Sequence, residues 1–89
     1  MKLPDDVTED LTRRLRRIEG QVRGIQQMLA DGRECRDVVT QVSAAGKAID
    51  QVGFRLLAAG MTYCLNDEEG AAEAGFDLTE VERLFLKLA

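Results

Sequence analysis

At 89 residues the chain reads as one small domain, 1–89, near the size where a lone hydrophobic core is marginal and oligomerisation is a common remedy. No apolar run approaches the roughly 20 residues of a membrane helix, Met1 to Pro4 lack a hydrophobic leader, and two cysteines are too few for a disulfide scaffold; a cytoplasmic protein with no membrane partner is expected. The net charge of −4 argues against nucleic acid only as a sum: residues 11–36 hold seven arginines against three acids (+4), while residues 67–89 hold seven acids against Arg83 and Lys87 (−5). The local field decides DNA contact, and the N-terminal part is basic.

A first helix is expected over about 8–30. Leu11, Leu15, Ile18, Val22, Ile25 and Leu29 recur at alternating spacings of four and three, and Arg13, Arg14, Arg16 and Arg17 fall away from that stripe. Asp31-Gly32 supplies a stop and a turn. A second helix is expected over about 35–65. Val38, Val42, Ala45, Ile49, Val52, Leu56, Ala59 and Tyr63 sustain a heptad pattern, the mark of a seam against other helices. Gly46, Gly53 and Gly60 repeat at seven residues on its flank. Each costs a helix interior about 1 kcal/mol relative to alanine, so close packing is expected there, or room for a ligand. Residues 66–77 are acidic, small and glycine-containing and read as a loop. A third helix follows over about 78–88, with Asp77 and Glu80 placed as a capping box and Val81, Leu84, Phe85 and Leu88 on one apolar face. The fold class is all-α with three helices. The outer helices are too short to stand alone in water or to cover the whole seam, so a dimer or a dimer of dimers is expected.

Cys35 and Cys64 are the only cysteines, and no histidine accompanies them. Along one helix they would lie roughly 43 Å apart, at about 1.5 Å per residue. A disulfide needs Cα atoms within about 7 Å, so the two cannot meet inside one chain. If two copies pack antiparallel about a two-fold axis near residues 49 and 50, Cys35 of each faces the partner's Cys64. Cys35 sits at a helix start between Arg33 and Arg36, where the helix N-terminus and the cations favour thiolate. Taken singly, a cysteine is more often a small core residue. With no histidine, paired carboxylates or phosphate loop, no catalytic constellation is present and no enzyme is expected.

The run from Arg14 to Ile25 (RLRRIEGQVRGI), followed by Met28-Leu29 and Cys35, resembles the CsoR/RcnR/FrmR/CstR family of small all-helical bacterial repressors. The likeness continues through Asp37 to Gln41 and Val52 to Leu57 as far as Cys64, covering about residues 8–66. The resemblance implies antiparallel helical dimers pairing into tetramers, operator DNA as partner, and release of that DNA when an inducer modifies the cysteine site. It also implies DNA contacts by Arg14, with Arg13, Arg17 and Lys47 as further candidates. Such contacts are mainly to phosphates and fall steeply with salt. Gln51 stands where many members carry an arginine.

The departures from the family pattern bear on the inducer. Copper sensors of the family pair the two cysteines with a histidine four residues before the second; Gly60 stands there in this chain. Nickel and cobalt members need several histidines. Formaldehyde sensors use a proline at the processed N-terminus, where this chain has Lys2. What remains resembles the two-cysteine persulfide-sensing branch, with no metal site and no cofactor expected. There, Cys35 thiolate would attack the sulfane sulfur of a persulfide or polysulfide, and the partner's Cys64 would then close a disulfide or sulfur-lengthened bridge. The alternatives are a copper(I)-responsive repressor using the same two thiolates, and a helical adaptor that binds no DNA.

Overall fold

The computed structural model describes residues 3–73, 75 and 77–89. Among these the chain is all-helical: α1 Asp5–Ala30, α2 Cys35–Asn66, α3 Glu68–Glu73 and α4 Leu78–Leu88. Lys2, with its bearing on the formaldehyde branch, lies outside the described residues, as do Ala74 and Phe76 of the expected loop.

Helix α1 begins one turn earlier than its apolar stripe suggests. The Pro4 carbonyl accepts from the backbone N–H of Thr8 (3.1 Å), and Asp5 and Asp6 place negative charge at the positive end of the helix dipole. Its C-terminus is a Schellman turn. Gly32, at φ +68°, donates to the Leu29 carbonyl (3.2 Å), and Arg33 donates to that of Met28 (3.0 Å). Only glycine adopts that left-handed φ freely, so the Asp31-Gly32 stop works as read and sends α2 back along α1.

Helix α2 is the spine, 32 residues without a break. On one side α1 packs against it through Leu11, Ile18 and Val52, with Val7 and Ala48 at the edge. On its C-terminal half α4 returns antiparallel. Val81 sits against Leu57 and Cys64, Phe85 stacks tilted on Phe54 (centroids 5.8 Å), and Leu88 reaches Gly53. A Cβ on Gly53 would stand 2.8 Å from a Leu88 methyl, so close approach of α4 accounts for this glycine. Among the described residues nothing approaches Gly46 in the same way. Asp77 caps α4 by accepting from the Thr79 N–H (3.0 Å).

The expected loop at 66–77 contains a short helix, α3, which corrects the three-helix reading to four among the described residues. Its physical basis is local and tertiary together. The Asp67 carboxylate accepts from the Gly70 N–H (3.0 Å), Glu68 and Glu69 suit the helix start, and Ala71 is buried at 2% exposure against the Cys64 cluster.

The core is thin. Eight apolar residues are buried among those described, while fifteen large apolar side chains remain exposed. The Cα radius of gyration is 16.9 Å, against about 12 Å for a compact domain of this length. This is the geometry of an open layer of helices.

Candidate functional site

The structure places the two cysteines at opposite ends of one uninterrupted helix. Cys35 is the first residue of α2 and is exposed; Cys64 lies near its other end and is buried. Both are free thiols. Arg33 and Asp37 flank Cys35 as a long ion pair (3.9 Å). Cys64 packs with Leu57, Ala71 and Val81, beside Leu3 and Tyr63. Helices α3 and α4 therefore cover the second thiol; α4 is expected from the sequence, but the α3 part of the cover is not, because residues 66–77 read as loop. One edge of Cys64 still opens on a depression lined by Asn66, Glu68 and Asp77. Gly60, one turn before Cys64, is buried and brings no side chain. No group of three or more histidine, cysteine, aspartate or glutamate side chains is assembled for a metal among the described residues.

Between the thiols, the heptad seam divides into two rows. Ala45 (6% exposed) and Val52 (7%) face inward. Val42 (51%), Ile49 (51%) and Leu56 (38%) face outward. The outward row continues onto α1, where Leu15 and Val22 meet Ile49 around a shallow apolar depression.

The candidate DNA-contacting side chains lie on α1 and α2. Arg14 is partly buried and donates from Nε to the Asp10 carboxylate (3.0 Å); Arg13 approaches the other oxygen of that carboxylate (3.7 Å). The hydrogen bond from Arg14, aided by the charges of Arg14, Arg13 and Arg55, holds Asp10 below the ordinary aspartate range. Arg17 and Lys47 are exposed, and neither has an ion-pair partner within 4 Å among the described residues. The structure thus joins Arg13 and Arg14 at one carboxylate and leaves Arg17 and Lys47 apart. The i,i+4 spacing of Asp10 and Arg14 is the sequence signal for this pairing.

Residues 7–87 match the metal-sensitive transcriptional repressor family. The chain belongs to that family. Among its relatives is the copper-sensing transcriptional repressor CsoR of Bacillus subtilis (strain 168), 37% identical over 79 residues, covering 89% of this chain and 78% of that protein. The copper-sensing transcriptional repressor RicR of Mycobacterium tuberculosis is 37% identical over 82 residues, 90% of this chain and 85% of that one. The fold is similar to the crystal structure of the copper-sensing repressor CsoR with Cu(I) from Geobacillus thermodenitrificans NG80-2. The TM-score is 0.78 at 36% identity, over 98% of this chain and 91% of that one. The three relatives are named as repressors, and each is named for copper; none of the three is named for persulfide. No helix among the described residues is long and apolar enough to cross a membrane.

Proposed function

We propose that the protein is an operator-binding transcriptional repressor of the cytoplasm, controlled at dithiol sites formed between two copies, Cys35 of one with the partner's Cys64. One observation carries this reading: the two thiols lie near opposite ends of a single uninterrupted helix, and between them runs an open apolar row centred on Ile49. Antiparallel pairing of that row buries it and brings each Cys35 towards a partner's Cys64. The exposed Val42, Ile49 and Leu56, with Leu15 and Val22 of α1, give such pairing its hydrophobic driving force.

Copper(I) is the inducer that the relatives support, in place of the persulfide expected from the cysteine pattern alone. The donor set is compatible with it. Two thiolates are soft ligands and suit Cu(I). The imidazole of the family's copper sensors is missing, so the proposed site is a two-sulfur one. Gly60 is also the specific observation behind a second reading, in which a persulfide or polysulfide oxidises the same pair. Cys35 thiolate displaces a thiolate from the sulfane sulfur, and the partner's Cys64 then displaces hydrosulfide to leave the disulfide.

An electrophoretic mobility-shift assay on the DNA upstream of the protein's own gene separates the readings. The expected result is a retarded complex that Cu(I) at stoichiometric amounts dissolves under anaerobic reducing conditions, with reversal by a cuprous chelator. Release by polysulfide with no response to Cu(I) would install the persulfide reading instead. Absence of any complex would leave the helical adaptor.

A further inference from the structure

The two helices of the hairpin meet where Arg13 and Arg14 of α1 hold the Asp10 carboxylate and Arg55 of α2 lines the same depression. Leu11 and Ile18 of α1 cluster with Val52 of α2, and Asp10 and Leu11 share a wall with Arg55 and Ala58. Asp10, Leu11, Arg55 and Ala58 line one depression of about 310 Å³ between the helices. Arg13 and Arg14 hold the Asp10 carboxylate from α1, Arg14 through Nε alone. The two outer nitrogens of that guanidinium are the edge that forks onto a phosphate. Arg55 is exposed and has no ion-pair partner within 4 Å among the described residues. Asp6 lines the same wall, so the depression itself holds one cation, Arg55, against two carboxylates, and the positive balance comes from Arg13 and Arg14, which reach Asp10 from α1.

The spacing along α2 adds a direction. Lys47, Gln51 and Arg55 stand four residues apart and form one ridge of the helix. Gln51 is the neutral member of that ridge. A surplus of positive charge spanning two antiparallel helices, with its carboxylate only partly satisfying it, is the footprint of a polyanion.

We infer that Arg55 of α2 joins Arg13 and Arg14 of α1 in one binding surface for DNA backbone phosphate, supplying from one turn away the α2 cation that Gln51 does not. The inference rests on the reading of the chain as a DNA-binding repressor and names a contact which that reading lacks. Arg55 takes the phosphate at the hairpin's mid-point, and Arg14 takes it or its neighbour with the outer edge of its guanidinium. Asp10 holds Arg14 in place.

The test is the salt dependence of binding to a labelled duplex carrying the sequence upstream of the protein's own gene, from about 50 to 200 mM salt. Wild type, Arg55→Gln, Arg55→Lys and Arg83→Gln are compared as intact proteins. Arg83, exposed on α4, carries the same charge on a helix outside the α1–α2 hairpin. The expected result is a severalfold loss of affinity for Arg55→Gln, with a slope of log K against log salt shallower by about 1 for each Arg55 engaged. Arg55→Lys is expected to keep the wild-type slope, and Arg83→Gln to keep both slope and affinity. An unchanged slope in Arg55→Gln, or an equal loss in Arg83→Gln, overturns the contact while leaving the repressor reading in place. A wild type with no salt-dependent DNA binding overturns the repressor reading itself.

Discussion

The inward and outward rows of α2 are built from the same kinds of residue and meet opposite fates. Ala45 and Val52 are covered by the chain itself, whereas Val42, Ile49 and Leu56 stay open. Covered positions specify the hairpin; open ones are the surface on which the proposed pairing rests. The comparison locates the boundary between folding and assembly within a single helix, at steps of three and four residues. It also separates the two thiols, since Cys64 lies within the covered part and Cys35 outside it.

The largest effect is expected on the covered row. Ala45→Glu places an unpaired charge in the hairpin core, with a cost of about 3–5 kcal/mol, a large fraction of a small domain's stability. Circular dichroism melting should show loss of cooperative helix structure. Ile49→Glu is the matched change on the open row. It should leave the helical signal largely intact and shift the mass in light scattering to the monomer. Identical outcomes for the two variants would erase the distinction between the rows.

A smaller difference is expected between the thiols. Cys35→Ser changes an exposed position and should fall within about 0.5 kcal/mol of wild type by denaturant titration. Cys64→Ser buries a hydroxyl among Leu57, Ala71 and Val81 and should cost about 1–3 kcal/mol if no acceptor is found for it. Equal stabilities would mean that α3 and α4 do not cover Cys64 as described.

Arg14→Ala acts on neither row. It should leave fold and oligomer intact, weaken operator binding and flatten its salt slope. The smallest effect belongs to Asp10. Its carboxylate titrates lower folded than unfolded, so its contribution is present at neutral pH and lost as the pH falls through the folded-state titration. Asp10→Asn should remove that share of the acid sensitivity, seen as a flatter stability profile below the aspartate range.

Much of this architecture is legible in the residues. The four-three spacing of α1 and α2, the Asp31-Gly32 stop and the Asp77 cap all point to the helices found, because each is a local signal acting on its own segment. Helix α3 is not legible, since six acidic and small residues carry no period, and its support comes from an Asp67 cap and the burial of Ala71 elsewhere in the chain. The division of the heptad seam is equally silent: which of two apolar rows α1 covers depends on the crossing of the helices, not on residue type. The thiols' positions could be read from spacing alone, but the covering of Cys64 could not. The inducer is the least legible feature: the missing histidine at Gly60 points away from copper, whereas the relatives named for copper support the copper(I) proposal by overall likeness rather than by any residue near Gly60.

The central claim is that each control site is shared between two chains, and subunit mixing tests it directly. Cys35→Ser and Cys64→Ala homo-oligomers each lack every complete thiol pair, so neither should release operator DNA when the inducer is added. Unfolded together and refolded as a mixture, they form hetero-oligomers in which the intact Cys35 of one chain meets the intact Cys64 of the other. Fluorescence anisotropy of the labelled operator duplex should then show inducer-dependent release restored in part. A mixture as unresponsive as its two parents, with exchange of subunits verified by mass, would contradict a site built between copies.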